Sequence, residues 1–184
     1  MRISDTDIFI LPGYSNSGED HWQTRWERQL STAQRIVQDD WHNPRQKDWT
    51  DRIVKQVSQA QRPAVLVAHS LGVLAAFQAS HNLPKGIVKG AFLVAPVDLD
   101  SEHAPESIDR DFAHSLERPL PFPSVLVASQ DDHYCSFDQA MKLAGHWGAE
   151  FTDAGNVGHL NMESGHGPWP EGLMRFAGFL KKLG

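Results

Sequence analysis

The residue with the clearest chemical signature is a serine between a predicted strand and a predicted helix. Residues 63–68 are apolar, rich in valine and uncharged, which predicts a buried parallel strand, and the alanine- and leucine-rich residues after Gly72 predict a helix. Ser70 lies at the turn, with the small residues Ala68 and Gly72 two positions to either side. This spacing is typical of a nucleophile elbow, where strand and helix approach too closely for larger side chains. Ser70 is therefore a candidate nucleophile.

Ser70 also has a simpler interpretation as a helix N-cap, a position that serine often occupies. In addition, Ala68 stands where the elbow motif usually has its first glycine, although one extra methyl group is a small change. Only the nucleophile-elbow interpretation requires particular residues later in the chain. A hydrolytic triad built on such an elbow needs an acid and then a histidine, each after a later strand.

Candidates for both partners follow later predicted strands. Asp131 and Asp132 come soon after the strand predicted at residues 125–128, and a carboxylate there is able to accept the imidazole N–H. An ordinary turn is the alternative interpretation of this pair. His159 lies in a glycine-bearing loop after the last predicted strand, although the chain has 10 histidines in all. Chain order and position together favour Ser70, Asp132 and His159 as one catalytic group.

Strand and helix signals alternate along the whole chain, which predicts a parallel sheet covered by helices on both faces. We expect one domain spanning residues 1–184. Ligands bind beyond the carboxyl ends of the strands in such sheets, and the candidate residues stand there. Strands are predicted at residues 7–11, 34–38, 63–68, 90–95, 125–128 and 149–152, and helices at 22–30, 48–60, 71–82, 137–147 and 171–183.

Residues 96–123 are the least regular part of the chain and contain five of the eleven prolines. Ile108, Phe112 and Leu116 are spaced by four, which predicts a short helix inside this segment. The segment is too short to form an independent lid domain. We expect it to form one edge of a pocket.

Composition excludes several other functions. A formal net charge of -6 argues against a nucleic-acid or anionic-membrane surface, and Cys135, as the single cysteine, rules out an internal disulfide. No HExxH or CxxC spacing occurs, so we expect no metal and no cofactor. The N-terminal residues are polar, and no apolar run approaches the ~18 residues that span a bilayer. A soluble, cytoplasmic protein is the expectation.

Several short motifs resemble those of the small serine hydrolases of the YdeN and retinoblastoma-binding protein 9 family, within the α/β-hydrolase superfamily. The similarity spans essentially the whole chain and keeps the family's order, and the His-Trp-Gln feature is its most specific part. The motifs are Leu11-Pro12-Gly13-Tyr14, Asp20-His21-Trp22-Gln23 with Trp26, His69-Ser70-Leu71-Gly72, Asp132-His133-Tyr134-Cys135-Ser136 and Gly158-His159-Leu160-Asn161.

This resemblance implies a compact α/β-hydrolase fold with a six-stranded, mostly parallel sheet and no large cap domain. It implies Ser70, Asp132 and His159 as the triad, with Asp131 as a turn residue. Backbone N–H groups of Tyr14 and Leu71 are expected to form the oxyanion hole. The chain departs from the family at Ala68 and at His133, which stands where a proline often follows the acid. Neither departure removes a reacting group.

The expected reaction is the hydrolysis of a small carboxylic ester through an acyl-enzyme on Ser70. The alternative is a non-catalytic binding protein that retains the hydrolase fold, because a fold alone does not establish a function. The expected partner is a small-molecule ester, without nucleic acid or membrane. No protein partner is predicted.

Overall fold

The computed structural model describes residues 1–184, and its centre is a sheet of six parallel strands. The strand order is β2-β1-β3-β4-β5-β6. The strands are β1 (Asp7–Leu11), β2 (Ala33–Arg35), β3 (Ala64–Ser70), β4 (Val88–Pro96), β5 (Ser124–Ala128) and β6 (Glu150–Asp153), and the helices are α1 (Trp22–Gln29), α2 (Gln46–Val57), α3 (Leu71–Ser80), α4 (Phe137–Trp147) and α5 (Pro170–Lys182). The compact α/β fold predicted from the sequence is confirmed.

Side chains of the central strand β3 separate the core into two layers because successive residues point to opposite faces of the sheet. Leu66 and Ala68 pack with helices α2, α3 and α4, in a cluster of 30 buried residues. Val65 and Val67 pack with α1 and α5 on the other face, in a cluster of 17. The helices thus cover both faces. None of them combines the length and the apolar character needed to cross a membrane.

The turn from β3 to α3 brings three chain segments into close contact. Ser70 has φ 56° and ψ -126°, a conformation that side chains rarely adopt and that costs about 1–3 kcal/mol. Gly72, on the first turn of α3, lies against the end of β1: an added Cβ would be 2.2 Å from the Leu11 carbonyl oxygen. This position therefore requires glycine.

Two parts of the chain differ from the sequence prediction. Strand β2 is shorter and earlier than the predicted 34–38, because this edge strand pairs on one side only and leaves the sheet soon after Ile36 bonds to β1. The helix expected around Phe112 is a single 3-10 turn, Arg110–Ala113. Ile108 and Phe112 are buried as their spacing suggests, but the proline-rich chain around them does not continue the helix.

We predict that Gly72→Ala destabilises the protein by about 2 kcal/mol or more, because the methyl group meets backbone atoms that have no room to move. Gly145→Ala is the matched control: Gly145 lies exposed in α4 with no atom within 4 Å of an added Cβ. That substitution should stabilise the protein by up to about 1 kcal/mol through helix propensity. Urea denaturation measures both; equal effects of the two substitutions would contradict the steric explanation.

Candidate active site

Ser70, His159 and Asp132 form a continuous hydrogen-bonded chain at the carboxyl end of the sheet. His159 Nε2 lies 2.9 Å from Ser70 Oγ, and His159 Nδ1 lies 2.8 Å from the Asp132 carboxylate. A carboxylate only accepts, so Nδ1 carries the ring proton and Nε2 is left to accept from the serine hydroxyl. The histidine and acid side chains are 9% and 3% exposed. The structure thus brings together the three residues that the sequence selected.

The N-cap interpretation of Ser70 receives no support from these contacts. Ser70 stands at the N-cap position of α3, but its side chain makes no capping hydrogen bond. Its hydroxyl instead bonds to the His159 ring, contributed by a loop 89 residues later in the chain.

The neighbouring acid, Asp131, has a different set of contacts. Its carboxylate accepts from the Ser129 hydroxyl at 2.7 Å and from the Gly158 N–H at 2.8 Å. The bond from Ser129, followed by that from Gly158, lowers the pKa of Asp131. Asp131 therefore holds the loop that carries His159 and does not contact the imidazole itself.

The loop that carries His159, called the histidine loop below, is also held by helix α1. The Trp22 indole N–H donates to the carbonyl oxygen of Leu160 at 2.9 Å, within the buried core. Leu160 has φ 50°, a left-handed conformation that is unfavourable for a leucine and must be held by its surroundings. The tryptophan thus fixes the backbone next to His159. The sequence analysis did not predict this contact.

The next residue of the same helix, Gln23, is completely buried yet fully bonded. Its amide NH₂ donates to the carbonyl oxygens of Leu11 and Val67, each at 3.2 Å, and its oxygen accepts from the Ser17 hydroxyl at 2.7 Å. Leu11 ends β1, and Val67 lies in the nucleophile strand β3. One side chain therefore joins the two strands to the polar loop after β1.

Arg35 holds the same polar loop from strand β2. Its guanidinium donates to the Asn16 side chain at 2.8 Å and to the Ser17 carbonyl oxygen at 2.9 Å, and it forms an ion pair with Glu27 at 2.9 Å. With 11% of its side chain exposed, this pair is shielded from solvent more than the protein's other arginine pairs. Gln23 and Arg35 thus both hold the loop at Ser17.

His69 packs against the catalytic candidate His159, and His21 packs against His69. The His69 ring lies 4.9 Å from the His159 ring and 5.0 Å from the His21 ring, measured between centroids. His69 Nε2 donates to the His159 carbonyl oxygen at 2.8 Å, which holds the backbone of that residue. Burial lowers the pKa of His69 well below its usual value, and burial followed by the Arg35 charge lowers the pKa of His21 to about 4. Both rings are therefore neutral at pH 7.

The backbone donors expected for an oxyanion hole lie close to the serine. An added Cβ on Gly13 would be 2.7 Å from Ser70 Cβ and 3.1 Å from the Leu71 nitrogen, so the loop after β1 touches the turn. The next N–H in that loop, of Tyr14, donates to no protein acceptor. Leu71 begins α3, where the first N–H groups of a helix lack partners within it. Both residues line the pocket that contains Ser70.

The pocket around Ser70 has a volume of about 520 Å³ and is lined by both apolar and polar residues. Residues that follow strands β4 and β5 supply apolar side chains and an aromatic ring: Val97, Pro105, Ile108 and Tyr134. The polar lining includes His21, His69, Asn161 and Glu163. Neither Trp22 nor Trp41 lines it.

The single cysteine does not offer a second nucleophile. Cys135 is buried, and burial, with smaller contributions from Asp98 and Asp132, raises the pKa of its thiol to about 12. A thiol with this pKa stays protonated near neutral pH and reacts slowly.

Known proteins resemble this chain in sequence and in fold. The family model for serine hydrolases matches residues 8–178. A YdeN-like hydrolase from Pectobacterium atrosepticum is 34% identical, with a TM-score of 0.85 over 98% of this chain and 94% of that one. No curated protein sequence matches the chain significantly.

More distant structures share the fold. The ydeN gene product of B. subtilis is 22% identical with a TM-score of 0.77, over 96% of this chain and 99% of that one. Thermogutta terrifontis esterase 2, in a form phosphonylated by cyclosarin, is 16% identical with a TM-score of 0.73, over 100% and 86% of the two chains. The chain therefore belongs to the serine hydrolase family and, within the α/β-hydrolase superfamily, is similar to the YdeN-like hydrolases.

Proposed function

We propose that the protein hydrolyses small carboxylic esters through an acyl-enzyme formed on Ser70. The observation that carries this proposal is the pair of hydrogen bonds that His159 makes, with Nε2 2.9 Å from Ser70 Oγ and Nδ1 2.8 Å from Asp132. These distances match those required between a nucleophile, a general base and the group that orients the base.

The first half of the reaction forms the acyl-enzyme. His159 Nε2 takes the proton from Ser70 Oγ as the oxygen attacks the ester carbonyl carbon. The resulting imidazolium is stabilised by the Asp132 carboxylate, and it then donates the proton to the departing alcohol. In the second half, water gives a proton to His159 Nε2 as its oxygen attacks the acyl carbon. The ring then returns that proton to Ser70 Oγ as the bond between Ser70 and the acid breaks.

Negative charge develops on the carbonyl oxygen in both halves. The N–H groups of Tyr14 and Leu71 are the proposed donors, because the loop after β1 contacts the start of α3 at this point. Donors of this kind are worth about 3–4 kcal/mol each when they face the oxyanion in the transition state. The strained backbone of Ser70 keeps the hydroxyl at the pocket and beside these donors.

Ester hydrolysis is also the activity named for a structural relative. The Thermogutta terrifontis protein of similar fold is an esterase, and it is phosphonylated by cyclosarin. Its 16% identity reflects the fold alone, so the choice of an ester for this chain depends chiefly on the geometry at Ser70.

The size of the pocket argues for a short acyl chain. A volume of about 520 Å³ holds a small ester, and residues 96–123 contribute an edge at Val97, Pro105 and Ile108 without enclosing it. Each methylene buried in a fitting pocket contributes about 0.8 kcal/mol, so kcat/KM rises with chain length only until the pocket is filled.

We predict that p-nitrophenyl acetate and butyrate are hydrolysed with a kcat/KM about tenfold or more above that of the palmitate. Release of p-nitrophenol measures the rates, under one set of conditions that keeps all three esters dissolved. Ser70→Ala, whose methyl side chain retains the fold but not the nucleophile, should lose this activity. A faster reaction with the palmitate would reveal a long acyl channel.

We further predict that Asp132→Asn lowers kcat by roughly 10³–10⁴-fold, because an amide no longer selects the required histidine tautomer. Asp131→Asn is the matched control, since its amide oxygen still accepts from Ser129 and Gly158. It should change kcat only a few-fold. Steady-state kinetics on p-nitrophenyl butyrate, with circular dichroism as a check of folding, separates the two. A larger loss in the Asp131 variant would reassign the orienting acid.

A further inference from the structure

Two buried histidines in the pocket wall have a ring nitrogen without a partner in the protein. His21 and His69 are 6% and 5% exposed, and both line the pocket beside Ser70. Each uses one ring nitrogen in a hydrogen bond to the backbone. The fold leaves no fully buried side-chain nitrogen or oxygen unpaired. The remaining nitrogen of each ring is therefore at least partly accessible, and both residues line the pocket.

The backbone bonds determine which nitrogen carries the proton. His69 Nε2 faces the His159 carbonyl oxygen at 2.8 Å, and a carbonyl only accepts, so Nε2 is protonated and Nδ1 is a free acceptor. His21 Nδ1 accepts from the Gln23 N–H at 3.2 Å, so its Nε2 is the protonated nitrogen and a free donor. Burial lowers the pKa of both rings, which keeps this pattern at neutral pH.

The pocket wall thus presents one acceptor and one donor on two rings whose centroids are 5.0 Å apart. A hydroxyl group is able to satisfy both, since it donates one proton and accepts at its lone pairs. A carboxylate has no proton to give His69 Nδ1, and an ammonium group has no lone pair for the His21 N–H. An alkyl group would leave both ring nitrogens without a partner, which costs free energy in a buried site.

We propose that His21 and His69 form a specificity subsite for an uncharged hydroxyl group of the substrate. The inference depends on the proposed ester hydrolysis and narrows its substrate class to short esters that carry a hydroxyl on the acyl or the alcohol part. Val97 and Ile108, which line the same pocket, suit an apolar group on the other part. The exposed carboxylate of Glu163 at the same pocket disfavours anionic esters.

Two pairs of esters of nearly equal size test the subsite. In the first pair the hydroxyl is on the alcohol part: 2-hydroxyethyl acetate against propyl acetate. In the second it is on the acyl part: methyl 3-hydroxypropanoate against methyl butanoate. Acid release at constant pH gives kcat/KM for each ester. We expect the hydroxyl ester to be preferred about tenfold in one pair, and that pair identifies the part of the substrate that the histidines contact.

Two substitutions remove the free nitrogen and keep the bonded one. His21→Asn retains an oxygen near the Nδ1 position to accept from Gln23 N–H but has no counterpart of Nε2–H. His69→Gln retains an N–H near the Nε2 position to donate to the His159 carbonyl oxygen but has no counterpart of Nδ1. Each should lower the preference for the hydroxyl ester severalfold. The ratio between paired esters is the readout, because a general loss of structure or catalysis affects both members alike.

The outcomes separate this inference from the proposed function. A wild-type preference that falls in both variants supports the subsite. Equal rates within both pairs for the wild type, or a preference that neither variant changes, overturns the subsite and leaves ester hydrolysis intact. If the wild type cleaves none of the four esters and no p-nitrophenyl ester, the proposed function fails, and the subsite fails with it. His21 lies outside the sheet, so the His21→Asn variant provides the test if the His69→Gln variant does not fold.

Discussion

The close approach of three backbone segments at Ser70 is the constraint on which the rest of the site depends. The end of β1 leaves no room for a side chain at Gly72, and Gly13 in the following loop touches the serine itself. Tyr14, Ser70 and Leu71 consequently line one pocket, where the serine hydroxyl bonds to His159. The strained conformation of Ser70 persists because strand β3 and helix α3 are both completely packed on either side of it.

Helix α1 connects this turn to the histidine loop on the far side of the site. Gln23 bonds to β1 and β3, whereas Trp22 bonds to the backbone beyond His159. His69 adds a bond from the nucleophile strand to the His159 carbonyl oxygen. The bonds of Trp22 and Gln23 are buried and that of His69 is partly buried, so the loss of one would leave an unpaired polar group as well as a mobile loop. The His-Trp-Gln motif therefore positions both loops that meet at the serine.

The sequence was most informative where the local pattern and the burial of a residue agree. Strand β1 and helix α4 were predicted with their observed bounds. In both, the pattern of apolar residues stops at the same place as the residues that typically end a strand or a helix. Ser70, Asp132 and His159 were selected because each follows a strand whose carboxyl end meets the same edge of the sheet. The bonds of Trp22 and His69 were missed because their partners are 138 and 90 residues away. In residues 96–123, spacing identified the buried Ile108 and Phe112, but the prolines prevented the expected helix.

Covalent labelling with a fluorophosphonate tests most directly whether Ser70 is an activated nucleophile. The reagent should form one adduct, located on Ser70 by mass spectrometry, because Ser70 bonds to a histidine that a carboxylate orients. The buried Cys135, with its thiol pKa raised to about 12, should remain unmodified. Ser70→Ala should take up no label while it unfolds at the same urea concentration as the wild type. An adduct on another serine, or none on the folded wild-type protein, would contradict the account.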